Sequence, residues 1–481
     1  MNKEKTIGWN FDNSYSNLPK SFIYEISPVP VKRPELVILN HDLADQMGLN
    51  FSNVDNEQLA KMFSGNLLPK GSKSLAQAYA GHQFGHFTML GDGRAVLLGE
   101  HISKSNQRLD IQFKGSGQTP FSRNGDGRAA LGPMLREYLI SEAMHSLNIP
   151  TTRSLAVVKT GENVIREKPL QGAILTRVAS SHIRVGTFQF IRTRENLDEL
   201  NTLVNYTIKR HYPEISKSKN NAYDLLSKLI DKQIELVVNW MRVGFIHGVM
   251  NTDNMAISGE TIDYGPCAFM DSYNLGTCFS SIDHMGRYAY GNQPAITKWN
   301  LARFAECLLT LINPKKDEAL KMATELIDKF DKIYEEKWLD MMKNKLGLIG
   351  DHKEYNVLIF ELLELMKKQE LDYTNTFLFL MEHEIDDKKN YQNVDFDNWK
   401  MKWQKRLTKD SKNLMKFNNP TIIPRNHNVE NVLKSAENND LTPFNDFLQA
   451  LKNPYTNQKV LTKYQSPPPK SDEKYQTFCG T

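Results

Sequence analysis

The sequence predicts an α+β protein with two lobes, a strand-rich N-lobe and a helical C-lobe, followed by a C-terminal extension. Three observations predict this fold. Residues 80–177 are rich in glycine and in short β-type runs, whereas long stretches after residue 182 carry apolar residues at helical spacing. A chain of 481 residues is also long enough to bury the cores of two lobes. Such a change of character along a chain indicates a cleft where the lobes meet.

Three strands and one helix are predicted for the N-lobe. The strands, each bounded by turn residues, are Ala95–Glu100, Arg108–Gly115 and Gly172–Ala179. The helix spans residues 134–147, where leucine and methionine side chains form one stripe at helical spacing and Pro150 follows the end.

The C-lobe is predicted to be helical throughout. The helices are expected at residues 223–245, 301–312, 317–346 and 355–368. From about residue 411 the chain reads as an appended extension of helices and loops, and it ends in a Pro-rich, charged tail.

Composition excludes several classes of protein. Hydrophobic residues make up 40% and charged residues 24% of the chain, as in ordinary globular proteins, and the net charge of +4 is too small to indicate a nucleic-acid surface. No apolar run approaches the ~20 residues that span a bilayer, and the N-terminus lacks the apolar segment of a signal peptide. We therefore expect a cytoplasmic protein with neither nucleic acid nor membrane as partner. Its four cysteines have neither zinc-site nor disulfide-scaffold spacing.

The first candidate for phosphate binding is a Gly-Asp-Gly-Arg sequence directly before a predicted strand. Gly91 and Gly93 allow the backbone to turn tightly and to bring its N–H groups close to phosphate oxygens, and Arg94 adds a fixed positive charge. A hairpin turn is the alternative interpretation of this sequence.

The second candidate is Lys114, at the end of a predicted strand and followed by two further glycines. A lysine in this position resembles the lysine that meets nucleotide phosphates in protein kinases. Such a lysine requires a carboxylate to hold it, and Glu137 on the predicted helix is the natural candidate. The alternative for Glu137 is a solvated charge on a helix face.

Further cationic and glycine-rich positions follow. Asp126 and Gly127 lie in a second loop before a helix N-terminus, where backbone N–H groups bind phosphate and Asp126 orients basic side chains. Arg177 and Arg184 bracket the junction of the lobes and could clamp a polyphosphate. Structural ion pairs explain these two arginines equally well.

The most informative stretch is FIHGVMNTDNMAISGETIDYGP. When it is laid on the kinase pattern H-R-D-x-x-x-x-N followed by D-F-G, His247 takes the first position. Asn254 then matches the metal-binding asparagine, and Asp263 begins the counterpart of D-F-G. Both supply the oxygen ligands that Mg²⁺ prefers, with Mn²⁺ as the other candidate. The sequence therefore predicts a protein-kinase-like fold that binds ATP and Mg²⁺.

One residue breaks the kinase pattern. Val249 stands where the catalytic aspartate belongs, and valine cannot accept a proton. Asp253 is the carboxylate nearby that could serve as base. If ATP were turned around in the cleft, its α-phosphorus would face the nucleophile, AMP would be transferred, and the cationic residues would bind the departing pyrophosphate.

Five long blocks of the chain resemble the selenoprotein O family, also called the YdiU family. They are AYAGHQFGHFTMLGDGRA, DIQFKGSGQTPFSRNGDGRAALG, REYLISEAMHSLNIPTTRSLAV, HGVMNTDNMAISGETIDYGPCAFMD and YGNQPAITKWNLARFAECL. The resemblance implies a kinase-like fold and protein adenylylation, in which AMP passes from ATP to Ser, Thr or Tyr hydroxyls of protein substrates.

The resemblance also implies roles for individual residues. Asp253 would be the proton acceptor, and Asn254 and Asp263 would hold Mg²⁺. Nucleotide would be bound by Gly91, Gly93, Arg94, Lys114, Asp126, Gly127, Arg177, Arg184 and Asp263. Cys479 would fill the place of a C-terminal selenocysteine or cysteine, although a thiol without function is the alternative. Cys278 is the expected partner because it lies a short way after Asp263 in the sequence.

These expectations divide the chain into four parts. They are an N-terminal extension (1–75), a nucleotide-binding N-lobe (76–180), a helical C-lobe with the catalytic and metal-binding loops (181–410), and a C-terminal extension with a Cys-bearing tail (411–481). Two other functions stay open from the residues alone. One is a conventional kinase that transfers the γ-phosphate, and the other is a catalytically silent ATP-binding scaffold.

Overall fold

The computed structural model describes residues 7–456, 462–469 and 475–477. Most of its strands lie before residue 180. They are β1 (Ile23–Glu25), β2 (Glu35–Leu39), β3 (Leu75–Gln77), β4 (Ala80–Gln83), β5 (His86–Met89), β6 (Ala95–Ile102), β7 (Arg108–Lys114), β8 (Ala129–Ala130), β9 (Arg153–Ile165), β10 (Pro169–Ala179), β11 (Phe245–Ile246) and β12 (Ala268–Phe269).

Most of the α-helices lie after residue 180. They are α1 (His41–Met47), α2 (Asn56–Phe63), α3 (Leu131–Ser146), α4 (Val185–Thr193), α5 (Leu197–His211), α6 (Asn221–Val243), α7 (Gln293–Ile312), α8 (Lys316–Lys345), α9 (Glu354–Lys368), α10 (Tyr373–Leu380), α11 (Val394–Gln404), α12 (Ser411–Asn418), α13 (Asn426–Glu437), α14 (Thr442–Leu451) and α15 (Thr462–Gln465). Helix α6 shows how the sequence sets these bounds. The Asn220 side chain accepts a hydrogen bond from the first turn, and Gly244 ends the helix in a left-handed conformation at φ 72°.

An eight-stranded antiparallel sheet organises the N-terminal part. Its order is β1-β3-β6-β7-β10-β9-β2, and the short β8 pairs with β10, while β4 and β5 form a separate hairpin. In the register of β7 and β10, Gln112 lies opposite Arg177, and Lys114 lies opposite Leu175. Because side chains alternate between the two faces, Lys114 and Arg177 project from the same face.

Each face of this sheet is covered by helices. Helices α1 and α2 pack on one face over a core that includes Ile111, Phe113 and Val158. On the other face, α3 packs on β9 and β10, and α13 and α14 from the C-terminal extension pack on α3. This second face is the one that carries Lys114, so the helix with Glu137 lies directly over it.

The helical part is built around α6, which packs against α7 and α8. Its apolar face includes Leu226, Leu229 and Ile234, all fully buried. Within the described ranges, no helix combines the length and the apolarity that crossing a bilayer requires.

The mixed α/β character, with strands early and helices late, confirms the coarse prediction. The predicted strands and helices are present, and most are longer than the patterns indicated. Strand β9 was not predicted. Its first half, Leu155–Val158, is buried on both faces and shows no alternation, and its second half contains Gly161 and charged residues. The domain boundaries stay a prediction, although β1 and β2 from the first 75 residues belong to the sheet.

Candidate active site

A deep cleft lies beside the sheet face that carries Lys114. Its volume is about 1470 Å³, and its walls come from the glycine-rich loops at residues 90–95 and 121–128, from α3, and from residues 249–254 and 263–266. Residues of α13 and Tyr475–Thr477 from the C-terminal tail complete the lining. A cavity of this size is ample for a nucleotide.

Five charged side chains form one network at the floor of the cleft. Lys114 Nζ donates to Glu137 Oε2 at 2.7 Å and to Asp263 Oδ1 at 3.2 Å. Arg177 donates to both of the same carboxylates, and Arg184 Nη1 donates to Asp263 Oδ2 at 2.7 Å. Lys114 lies in β7, Glu137 in α3 and Arg177 in β10. Arg184 directly precedes α4, and Asp263 lies in the loop after β11. The structure therefore brings together residues that are up to 149 positions apart.

This network has more positive than negative charge. Three cations surround the two carboxylates of Glu137 and Asp263, and all but Asp263 are almost completely buried. Burial alone would raise the pKa of Asp263. The charges of Arg177, Lys114 and Arg184 nevertheless hold this pKa well below its usual range. The pKa of Glu137 is lowered in the same way by Arg177 and Lys114. The surplus cation provides electrostatic attraction for an anion entering the cleft.

Asp253 lies at a different edge of the cleft, in the 3₁₀ turn Thr252–Asn254. Its side chain is buried, and burial raises its pKa to about 6. Oδ1 accepts no hydrogen bond from the described residues. The Asp253 backbone carbonyl accepts a hydrogen bond from Arg184 Nη1 at 2.8 Å, which ties this turn to the charge network. Oδ1 is buried and packs against Gly81. A buried carboxylate with a raised pKa that lines a cleft is a candidate general base.

Asn254 and Asp263 are held by local structure. The Asn254 amide nitrogen donates to the Val249 carbonyl at 2.9 Å, so the amide oxygen stays available. His247 Nε2 lies 2.9 Å from the Ile262 carbonyl, which joins the two loops. Asp263 has φ 64°, a left-handed conformation that is uncommon outside glycine and is often found at functional sites.

The two glycine-rich loops pack against each other. A β-carbon at Gly91 would lie 2.8 Å from Cβ of Phe121, and one at Gly93 would lie 2.7 Å from the Phe121 carbonyl oxygen. Glycines are therefore required for this close approach. The hairpin alternative for residues 91–93 is wrong, because β5 pairs with β4 whereas β6 pairs with β3 and β7. Arg94 lines the cleft, and its side chain has no ion pair with the residues that the structure describes.

The second loop places Asp126 and Gly127 in the cleft wall. Asp126 pairs with Arg166 at 2.9 Å and accepts a hydrogen bond from the Arg128 backbone N–H, so it orients basic groups. Gly127 has φ 65°, and its carbonyl accepts from the Gly117 N–H at 3.0 Å. The loop leads through β8 into the N-terminus of α3.

Two groups near this network were not predicted from the sequence. Tyr79 lies under Arg184, with the guanidinium carbon 4.6 Å from the ring centroid, and thereby holds Arg184 in place. Asp92, between the two glycines, is buried and accepts from the Gln77 N–H at 3.0 Å. The G-D-G sequence pointed to the glycines, and nothing in it marked Asp92 as buried.

Gly81 was also missed, and it lies directly against the candidate base. A β-carbon at Gly81 would lie 2.8 Å from Cγ of Asp253. The strand β4 that carries Gly81 runs along residues 251–252, with its His82 N–H donating to Thr252 Oγ1 at 2.7 Å. In the sequence, only the resemblance of the block AYAGHQF to a family indicated that Gly81 belongs to the site.

Of the two cysteines predicted to pair, Cys479 lies outside the described residues. Cys278 is half-buried, its Sγ lies 3.4 Å from Asp283 Oδ2, and burial together with Asp283 raises its pKa to about 11. Thr477, two positions before Cys479, donates from its N–H to the Phe279 carbonyl at 2.7 Å. The tail therefore reaches the residue that follows Cys278.

The geometry defines a class of protein: a mixed α/β protein with a deep, cation-lined cleft and a buried carboxylate of raised pKa, which are the features of an enzyme active site. Comparison with known proteins agrees. A family model described as "Protein adenylyltransferase SelO" matches residues 5–452. The chain belongs to this family of nucleotidyltransferases.

Full-length relatives support the assignment. A "Protein nucleotidyltransferase YdiU" from Pelagibacter ubique is 65% identical over 482 residues, which cover 99% of this chain and 100% of that protein. Proteins of the same name from Nitrosococcus oceani and Bacillus cereus (strain B4264) are 54% and 55% identical. They cover 100% of this chain, and the matches span 99% and 100% of those proteins.

Proposed function

We propose that this chain is a protein adenylyltransferase with a kinase-like active site, which transfers AMP from ATP to Ser, Thr or Tyr hydroxyls of protein substrates. The observation that carries the proposal is the presence of two groups in one cleft. The free carboxylate oxygen of Asp253 lies in one turn, and the cations gather around Asp263 in another. Arg184 links the two, because its Nη1 contacts both residues.

The cation cluster supports an inverted nucleotide. Lys114, Arg177 and Arg184 provide three positive charges where a conventional kinase has chiefly one lysine. Glu137 and Asp263 offset two of these charges, so one surplus positive charge faces the negative charges of the β- and γ-phosphates. Arg94 and the glycine-rich loops add donors at the cleft wall. With the pyrophosphate part of ATP in this cluster, the α-phosphorus would lie toward Asp253.

The reaction follows from these positions. Asp253 accepts the proton of the acceptor hydroxyl, whose oxygen attacks the α-phosphorus of ATP. The bond between the α-phosphorus and its bridging oxygen breaks, and pyrophosphate leaves with its charge stabilised by the three cations. The conventional base is absent because valine stands at position 249. Asp253 lies four residues later on the same loop.

The residues present fit Mg²⁺. The Asn254 amide oxygen is available, and the Asp263 carboxylate is ionised, so the pair offers two hard oxygen ligands. No cluster of three or more His, Cys, Asp or Glu side chains within the described ranges could hold a metal ion, so phosphate oxygens and water would complete the coordination. When bound, the ion would neutralise phosphate charge during transfer. Because three cations already surround Asp263, the ion should bind with ATP rather than alone.

The tail supports a thiol switch as a second element of the proposal. Thr477 forms a bridge with Ser280, and its Oγ1 donates to the Pro266 carbonyl at 2.7 Å, close to Asp263 in sequence. Exchange of the Cys278 and Cys479 thiols with a small-molecule disulfide, which is reduced to two thiols, would join them in a disulfide and fix the tail against this loop. We expect Cys278→Ser and Cys479→Ser to abolish any response of activity to reductant, while Cys307→Ser, which removes a buried thiol, keeps it. A full response in either of the first two variants would contradict the switch.

One assay tests the transfer. The protein is incubated with Mg²⁺, a protein extract and ATP labelled at the α- or the γ-phosphate, and protein-bound label is measured. We expect label from the α position only, and its loss in Asp253→Asn but not in the matched surface variant Asp328→Asn. Label from γ only would identify a kinase, and label from neither would identify a silent scaffold.

A further inference from the structure

The β4–β5 hairpin and residues 283–288 lie beside the turn that carries Asp253, and Gln83 of the hairpin lines the cleft. The Phe84 N–H donates to Asn251 Oδ1 at 3.1 Å, and the Tyr288 hydroxyl donates to the same oxygen at 2.6 Å. Both segments are therefore anchored two positions before Asp253.

Arg287 lies in the second of these segments without an acidic partner. Its guanidinium carbon is 5.0 Å from the centroid of the Trp299 ring and 5.7 Å from that of Tyr288, and its Nε has no hydrogen-bond partner among the described residues. The neighbouring Asp283 carboxylate is occupied by the backbone N–H groups of residues 287 and 288 and by Cys278. Arg287 forms no ion pair with any described residue. By contrast Arg303, which lies over the same Trp299 ring, pairs with Glu306 at 2.7 Å.

An apolar surface continues from this cation. The His82 ring contacts both Trp299 and Phe87, with centroid distances of 5.3 and 5.2 Å. Phe87 and Met89 are 45% and 49% exposed, and they project from the same face of β5 because they are two residues apart. Phe87, His82, Trp299 and Arg287 thus form a continuous strip, which we call the acceptor rim.

We propose that the acceptor rim binds the segment of a protein substrate that carries the accepting hydroxyl. Arg287 pairs with an Asp or Glu side chain of that segment, and Phe87 packs against an apolar side chain. The inference rests on the proposed function and names the substrate class that the site prefers: hydroxyl residues in acidic segments.

The charge of Arg287 favours an acidic occupant. Ring faces shield the guanidinium partly from water, and an ion pair formed there is stronger than one in open solvent. The rim is anchored two residues from Asp253, and an extended peptide advances about 3.3 Å per residue. The acidic residue should therefore lie near the acceptor in the sequence of the substrate. The cations around Asp263 are not available for this role, because the phosphates occupy them.

A peptide array tests the rim. Each peptide has a single Ser, Thr or Tyr, and Glu, Gln, Lys or Leu replaces one flanking residue at a time. AMP incorporation is measured with α-labelled ATP. For the wild-type protein we expect peptides with Glu at one or two positions to be labelled about five- to tenfold faster than those with Gln, as for a partly shielded ion pair.

Charge reversal separates recognition from structural damage. Arg287→Glu should transfer the preference from Glu to Lys peptides, and Arg287→Ala should remove any preference, while Lys409→Ala, an exposed cation outside the cleft, should behave as wild type. Phe87→Ala should reduce selection for an apolar residue only. A Glu preference retained in Arg287→Glu would overturn the proposal, as would equal labelling of all peptides by the wild-type protein.

The array also separates this proposal from the proposed function. If no peptide were labelled while proteins of an extract still received α label, recognition of a short acidic segment would be wrong and AMP transfer would stand. If neither peptides nor extract received α label, both proposals would be wrong.

Discussion

Arg184 Nη1 lies 2.7 Å from Oδ2 of Asp263 and also contacts the backbone carbonyl of Asp253, at 2.8 Å. One guanidinium thus joins the candidate metal ligand to the turn that carries the candidate base. The Tyr79 ring lies beneath it and restricts its position. The distance between the two halves of the site therefore depends on a planar side chain with donors in a fixed geometry.

We expect Arg184→Lys to lower AMP transfer about 100-fold, because one ammonium group cannot replace both hydrogen bonds of the guanidinium and its stacking on Tyr79. Initial rates with α-labelled ATP measure the effect. Arg194→Lys, which changes an exposed arginine paired with Glu199, is the control and should retain full activity. Activity above a third of the wild-type rate in Arg184→Lys would show that the bridge is not required.

Asp263→Asn should destabilise the ligand-free protein by about 3 kcal/mol, because it leaves three neighbouring cations with one carboxylate fewer. We take the lower end of the usual range since 22% of the Asp263 side chain is exposed. Urea unfolding measures the change. Pyrophosphate without metal should restore part of the lost stability by supplying anionic charge. Unchanged stability in the variant would mean that the cations do not depend on Asp263.

Gly81→Ala should abolish AMP transfer with little effect on stability. The new β-carbon would lie 2.8 Å from Cγ of Asp253, so the carboxylate would have to move. Thermal unfolding and initial rates are compared with those of Gly276→Ala, where the nearest neighbour of the β-carbon among the described residues would be the Asn274 amide oxygen at 3.3 Å. Normal activity in Gly81→Ala would mean that the observed position of Asp253 is not needed for catalysis.

His211 should make stability depend on pH in the mildly acidic range. Burial, together with Arg210, lowers its pKa to about 3, whereas an unfolded histidine has a pKa of about 6.5. Between these values the unfolded chain binds a proton that the folded protein does not. The free energy of unfolding should therefore fall as pH drops below 6.5, by up to about 1.4 kcal/mol per pH unit from this group.

The matched variant for this effect is His211→Gln, which cannot titrate and can still hydrogen-bond to Ser181 Oγ, 2.7 Å from the histidine ring. Denaturant unfolding at pH 7, 6, 5 and 4 should give a shallower fall for the variant than for the wild-type protein. Parallel curves would show that His211 is protonated in the folded state or has an ordinary pKa.

Much of the fold could be predicted because local patterns agree with it. The strands around Lys114 alternate with turns, and the long helices carry apolar stripes, so the division into a strand-rich and a helical part was readable. Strand β9 was not, because a strand buried on both faces has no period-two signal. The contacts of the C-terminal helices with α3 could not be predicted either, because sequence periodicity carries no information about which distant element covers a helix face.

The residues of the site also divide into those that could be predicted from the sequence and those that could not. Lys114, Asn254 and Asp263 could be named from motifs because their spacing in the chain is fixed by local loops and strands. Gly81 and Tyr79 could not, because their importance lies in contacts with residues more than 100 positions away. For Arg177 and Arg184 the sequence left two roles open, structural ion pairs and phosphate binding. The structure has them in ion pairs, and binding of phosphate by the same charges remains a proposal.

The most direct measurement is a crystal structure of the protein with Mg²⁺ and a non-hydrolysable ATP analogue. We expect the ion on Asn254 and Asp263, the β- and γ-phosphates against Lys114 and Arg177, and the α-phosphorus on the side of Asp253. A nucleotide with its γ-phosphate beside Asp253, or with its triphosphate outside the cluster, would contradict the inverted orientation on which the account depends.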